Sequence, residues 1–157
     1  MRVECRECEG TGFNKNLKKY KIKGKSIFDV WKMTLDEAID FFEDIDKSIT
    51  KVCITASEIM LGHLQIGQAT ATLSGGENIR IKIMKASKST AKVIGVDEPF
   101  KGLSNIEIDA VANYLNRIRE KGKTLIVIDH STGVEDYFSQ WIQIENIDNR
   151  LIGKQFK

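Results

Sequence analysis

An α/β fold built on a parallel sheet is what this sequence predicts, and three observations predict it. Val93–Asp97 and Thr124–Ile128 are apolar runs of strand length. Between them Ile106, Val111, Leu115 and Ile118 recur at helical spacing, so the segment reads as strand, helix, strand, which closes as a βαβ unit with parallel strands. Residues 26–90 keep a helical rhythm instead, which adds a mainly helical subdomain to the sheet.

Taken in order, Cys5 to Gly12 is a Cys/Gly-rich turn region. Lys15 to Lys25 is rich in lysine with Leu17, Tyr20 and Ile22 interleaved, and reads as an exposed strand or hairpin arm. Ile27, Val30 and Trp31 indicate one or two helical turns. Thr34 and Glu37 have the spacing of a capping box and open a helix through about Phe42. Ile49, Val52, Ile59 and Leu61 indicate a further helix ending near Gly62. The two strands after residue 90 are expected to be buried, and the helix between them ends at Lys121-Gly122. Trp141 to Ile144 and Arg150 to Phe156 read as closing strands.

Length and composition narrow the class. The 157 residues suit about one domain, and 41% apolar residues suffice for a packed core. The net charge of +2 is too small to mark a nucleic-acid protein by itself. No apolar run reaches the roughly 18 residues of a membrane span, so a cytoplasmic protein with reduced thiols is expected. Three cysteines do not make a disulfide framework.

The chemistry is carried by three segments. Leu73-Ser-Gly-Gly-Glu77 opens a helix with two glycines and a serine, so free amides and a helix N-terminus converge where a phosphate can bind. An ordinary helix cap has the same look. Twenty residues on, an apolar strand delivers Asp97 and Glu98 to the carboxyl edge of the sheet, where such folds bind ligands. Asp97 can hold Mg²⁺, and Glu98 can polarise an attacking water in phosphoryl transfer, although many strands end in acids. His130 follows the second strand and could reach a γ-phosphate there; a lone histidine in that place is usually structural.

The order of the three is more informative than any one of them. LSGGE, a strand ending in Asp-Glu-Pro and a strand ending in Asp-His resemble the signature, Walker B and switch histidine of ABC-type ATPases. The likeness extends to one family. Cys5-Arg-Glu-Cys8-Glu-Gly-Thr-Gly12, Lys23-Gly-Lys-Ser-Ile-Phe-Asp-Val30, Met33-Thr-Leu-Asp-Glu-Ala38 and Leu61-Gly-His-Leu-Gln-Ile-Gly-Gln68 precede LSGGE in an order that resembles the bacterial excinuclease family UvrA. The resemblance covers most of the chain and implies the carboxy-terminal part of a UvrA-like ATPase. It implies a zinc-module remnant with a basic arm over 1–25, the signature subdomain over 26–90 and the Walker B half of an ABC core over 91–157. By the same resemblance Asp97, Glu98 and His130 face one ATP with its Mg²⁺. Ser74, Gly75, Gly76 and Glu77 meet the nucleotide held by an opposing module, and the implied process is DNA-damage recognition in excision repair.

Several expected parts depart from that pattern. ATP binding needs G-x-x-x-x-G-K-[ST], the Walker A loop. Gly24-Lys-Ser26 imitates its end, but Lys19 stands where the first glycine belongs, and Arg117 spoils Gly122-Lys-Thr124 in the same way. The loop is therefore expected upstream of Met1 or on a Walker A-containing partner, such as an upstream half or a full-length relative. Cys5 and Cys8 supply half of a four-ligand zinc site, and Cys53 is expected to be a buried thiol. Ile79 stands at a position usually glutamine, Phe100-Lys101 replaces two threonines, and Ser104 replaces a histidine. Glu145-Asn-Ile-Asp-Asn149 replaces a glycine-rich closing segment. The basic arm could approach a DNA backbone, or could be a solvated strand.

Overall fold

A computed structural model describes residues 5, 7–147 and 150–156. Arg6 of the Cys/Gly-rich segment and Asp148-Asn149 of the altered closing segment lie outside the described residues. The chain divides into two compact units, residues 1–85 and 86–157.

The first unit begins with a turn in which Glu9 N–H donates to Cys5 O at 2.9 Å and Thr11 N–H to Cys8 O at 3.0 Å. The lysine-rich arm is only partly the strand that its sequence suggests. Asn14 accepts from Asn16 N–H and starts a 3₁₀ turn over Lys15–Lys19, which places Lys18 and Lys19 beside its carbonyl end. A two-residue hairpin follows, β1 (Lys21–Ile22) against β2 (Lys25–Ser26). Its loop residues Lys23 and Gly24 have φ of 46° and 76°, the doubly left-handed backbone of a type I′ turn.

Two capping boxes start the next helices. Ser26 and Asp29 cap α1 (Ile27–Lys32), and Thr34 and Glu37 cap α2 (Leu35–Phe42), which ends where the sequence places it. Helix α3 (Lys47–Glu58) packs on α2 and is capped by Asp46, whose carboxylate accepts from Ser48 and Ile49 N–H. It stops about one turn before the expected end near Gly62. Met60 turns left-handed at φ 61°, and Ile59 and Leu61 are buried beyond the last helical turn. The buried face of α3 is Cys53 and Ala56, while Ile49 and Val52 are exposed.

The segment 61–67 then runs back along the start of α2. Asp36 N–H donates to Gly62 O at 3.0 Å, Leu35 N–H to Leu64 O at 2.8 Å, and Gly67 N–H to Trp31 O at 2.8 Å. Gly67 lies against the Trp31 indole with no room for a Cβ. This strap leads into α4 (Gly75–Ser87).

In the second unit β3 (Val93–Asp97) pairs in parallel with β4 (Thr124–Ile128), Val93 opposite Thr124 and Asp97 opposite Ile128. Helix α5 (Asn105–Glu120) connects them, with a Ser104–Glu107 capping box at its start and Gly122 at φ 85° after its end. Val111, Ala112, Tyr114, Leu115 and Ile118 make its buried face. The strands are not buried throughout, as their apolar runs suggest. Ile94 and Val96 are buried, whereas Val93, Ile126 and Ile128 are each more than half exposed, because alternate side chains of a strand point to opposite faces. Ile106 is also exposed, one position outside the buried stripe of α5. The closing strands form an antiparallel hairpin, β5 (Trp141–Ile147) and β6 (Arg150–Phe156), with Trp141 stacked on Phe156 at 4.2 Å.

Candidate functional site

The LSGGE segment is folded as a capping box of its own. Ser74 N–H donates to Glu77 Oε2 at 2.7 Å, and Glu77 N–H donates to Ser74 Oγ at 3.2 Å. Gly75 and Gly76 are the first residues of α4, where backbone N–H groups have no acceptor within the helix. Gly75 carries no side chain to shield them, and its surroundings are open. The Ser74 hydroxyl oxygen accepts from Glu77 N–H, and the Ser74 side chain also bonds the Glu77 carboxylate. Ser74 and Gly75 are exposed, and Gly76 and Glu77 are half-buried. Glu77 is also held by His63, Nε2 to Oε1 2.9 Å. Hydrogen bonds from Ser74 N–H, and then from His63, hold the Glu77 carboxyl below the usual carboxylate range. His63 comes from the strap ahead of the helix, and its spacing from Glu77 gave no local signal of this contact.

In the second unit the parallel pairing runs one residue past β3, since Glu98 N–H donates to Ile128 O at 2.7 Å. Asp97 is exposed at the strand end. Glu98 has φ of 49°, a left-handed backbone that costs a non-glycine residue roughly 1–2 kcal/mol. That conformation breaks the strand and turns the chain into Pro99 and Phe100, both buried. The turn is pinned from β4's side by Asp129, which accepts Phe100 N–H at 2.9 Å and Ser131 N–H at 2.8 Å. Burial alone would raise the Asp129 carboxyl. Hydrogen bonds from Ser131 and from the Phe100 and His130 N–H groups overcome it and hold the group below the ordinary range. His130 is exposed next to it.

Asp97, Glu98 and His130 are thus gathered at the carboxyl ends of two adjacent parallel strands, as their places after β3 and β4 imply. Ser74 to Glu77 belong to the other unit. Two further groups at the strand ends make contacts that the sequence does not show. Asp129 is visible there only as the acid before His130, and its role as the acceptor for the Phe100 turn needs the strands to be adjacent. Lys101 lies 2.6 Å from Glu98 Oε2.

The donor sets can be compared with the groups they would hold. Mg²⁺ beside nucleotide phosphates keeps several waters and takes one or two carboxylates, so Asp97 at an exposed strand end suits it. Zinc is different. The Cys5 thiol is held below its usual value by the Cys8 N–H, by the Cys8 side chain and by the Glu7 N–H, which favours a thiolate ligand. Yet no three His, Cys, Asp or Glu side chains among the described residues are grouped to hold a metal ion. Cys5 and Cys8 alone do not complete a tetrahedral site. Cys53 is buried, and burial pushes its thiol up.

The LSGGE helix start in one unit and the acid-ended parallel strand in the other keep the order by which the sequence resembles an ABC-type ATPase. Comparison with known proteins is more specific. UvrABC system protein A of Rickettsia bellii is 39% identical over 135 residues, 84% of this chain and 14% of the relative. The Staphylococcus epidermidis protein of that name is also 39% identical, and that of Synechocystis is 36% identical, with the same coverage. The crystal structure of UvrA2 from Deinococcus radiodurans superposes with a TM-score of 0.82 at 31% identity, covering 96% of this chain and 19% of that one. No family model matches the chain. The chain belongs to the UvrA family of ABC-type ATPases, and it spans about a seventh of the length of the curated relatives it matches.

Proposed function

We propose that this chain supplies the signature and Walker B parts of a UvrA-type ATPase that couples ATP hydrolysis to DNA-damage recognition in excision repair. The observation that carries the reading is the carboxyl edge of β3 and β4, where Asp97, Glu98 and His130 follow the ends of two adjacent parallel strands. Asp97 offers a carboxylate to Mg²⁺, which would neutralise phosphate charge when bound. Glu98 accepts a proton from water attacking the γ-phosphorus, while the bridging oxygen leaves with the diphosphate. His130 would donate to the same phosphate. Ser74 and the amides of Gly75 and Gly76 contact the nucleotide of an opposing module. The phosphate-wrapping Walker A loop has no counterpart in these 157 residues, so the site is completed by a Walker A-containing polypeptide. DNA is the proposed partner of the assembled protein, and the domain roles over 1–25, 26–90 and 91–157 follow the same reading. No described helix is long and apolar enough to cross a membrane.

The test is complementation. Mixing the chain with a polypeptide carrying the UvrA Walker A region should give ATP turnover. Glu98→Gln should lower it by at least about 100-fold while sparing complex formation, because general-base catalysis is lost and side-chain size is kept. Ser74→Arg should also impair turnover. A second reading, a non-catalytic remnant that dimerises or binds DNA, draws support from the hold of Lys101 on Glu98. Turnover indifferent to Glu98→Gln would favour that remnant.

A further inference from the structure

The turn after β3 carries a feature that hydrolysis does not require. Lys101 Nζ lies 2.6 Å from Glu98 Oε2, one turn along the same short loop. Three arrangements bring the two together. The left-handed backbone of Glu98 folds the chain back at once. Pro99 and Phe100 are buried and anchor the loop, and Asp129 fixes the Phe100 N–H. Lys101 is the first side chain beyond that anchor to return to solvent, and it reaches back to the carboxylate. Asp97 and Asp129 lie close enough to add to the negative field around the ammonium.

We infer that Lys101 is a positioning residue that restrains Glu98, holding its carboxylate away from the attacking water and slowing turnover. The inference rests on the reading of Glu98 as the group that takes the water's proton. A carboxylate oxygen engaged by an ammonium at this distance commits its side chain to one rotamer. The hold is loose enough to be released. The Lys101 side chain is 70% exposed and that of Glu98 35%, and exposed ion pairs are readily broken. An arriving phosphate offers the ammonium a competing anion, so loading of the site would draw Lys101 off Glu98. Threonine or any neutral residue at position 101 lacks this restraint.

The experiment uses the full chain, alone and complemented with the Walker A polypeptide. On the chain alone, a zero-length carbodiimide should join Lys101 to Glu98, detected as one cross-linked peptide by mass spectrometry and lost in Lys101→Thr. Absence of that peptide overturns the inference, whatever the complex does. In the complex, Lys101→Thr and Lys101→Met should raise kcat about threefold to fivefold, the most that releasing an exposed pair allows, with KM for ATP unchanged. Lys101→Arg should restore the wild-type rate, and Glu98→Gln in the Lys101→Thr background should erase the gain. An active complex whose kcat is unchanged or lowered by Lys101→Thr, in a variant with unaltered thermal unfolding, overturns the restraint and leaves the ATPase reading intact. Turnover insensitive to Glu98→Gln instead removes the ATPase reading, and the restraint falls with it.

Discussion

Glu98 and Asp129 divide the work at the end of the parallel pair. Glu98 occupies a strained backbone, and Asp129 accepts the Phe100 N–H of the turn that follows it together with the Ser131 N–H of its own loop. Strain at a functional position persists only where its surroundings enforce it. Asp129 is therefore more than a neighbour of His130: it stabilises the geometry that presents Glu98. Its folded pKa lies below that of an unfolded aspartate, about 3.9. The stabilisation is fully present above that pH and is lost as pH falls through the lower folded value. Asp129→Asn should cost about 1.5–3 kcal/mol at neutral pH, the range for hydrogen bonds to a charged group. The acid branch of its stability curve below about pH 4 should also become shallower than the wild type's. Urea unfolding across that range is the measurement, and parallel curves for the two proteins would contradict it.

Helix starts in this chain use one device repeatedly. Ser26–Asp29, Thr34–Glu37, Ser74–Glu77 and Ser104–Glu107 each satisfy two terminal N–H groups with one pair of side chains. The LSGGE segment differs from the others in placing glycines directly after the cap, which leaves amides accessible at the helix start. A second device holds the approach to that helix. The strap 61–67 bonds to the start of α2, and Gly67 fits beneath Trp31 because it lacks a Cβ. Gly67→Ala should therefore displace the indole and destabilise the first unit by about 1–3 kcal/mol, the usual range for overpacking. A lowered melting temperature with a changed tryptophan emission is the expected result. An unchanged protein on both counts would show that Trp31 moves aside at no cost.

At the scale of the whole chain, the parts proposed for it are the signature and Walker B segments of a nucleotide site and two of the four ligands of a zinc site. On the proposed reading Asp97, Glu98 and His130 act on a phosphate that a Walker A loop fixes in place, and the gain from such fixing is the larger part of phosphoryl transfer. Calorimetry with Mg-ATP should give no micromolar binding to the chain by itself, and such a site would contradict the proposal. Zinc after dialysis against a mild chelator should fall below one ion per chain, because two thiolates leave half the coordination sphere to other ligands. Half an ion per chain in a dimer would mean that two Cys5/Cys8 pairs share it, and a full ion in a monomer would refute the prediction.

The sequence by itself determined what depends on near neighbours along the chain. The limits of β3 and β4, the Thr34 box, the Gly122 stop and the order of LSGGE, Asp97-Glu98 and His130 all follow from propensity, period and spacing. Local interactions set these, so they are legible in a window of a few residues. Only the tertiary structure decided which face of each strand is buried and where α3 ends. It also decided that His63 holds Glu77, that Asp129 holds Phe100, and that Lys101 turns back on Glu98. The first four depend on segments distant in sequence. The Lys101 contact spans three residues, yet it needs the left-handed bend at Glu98, which glutamate adopts only when a neighbouring strand and a buried turn oblige it.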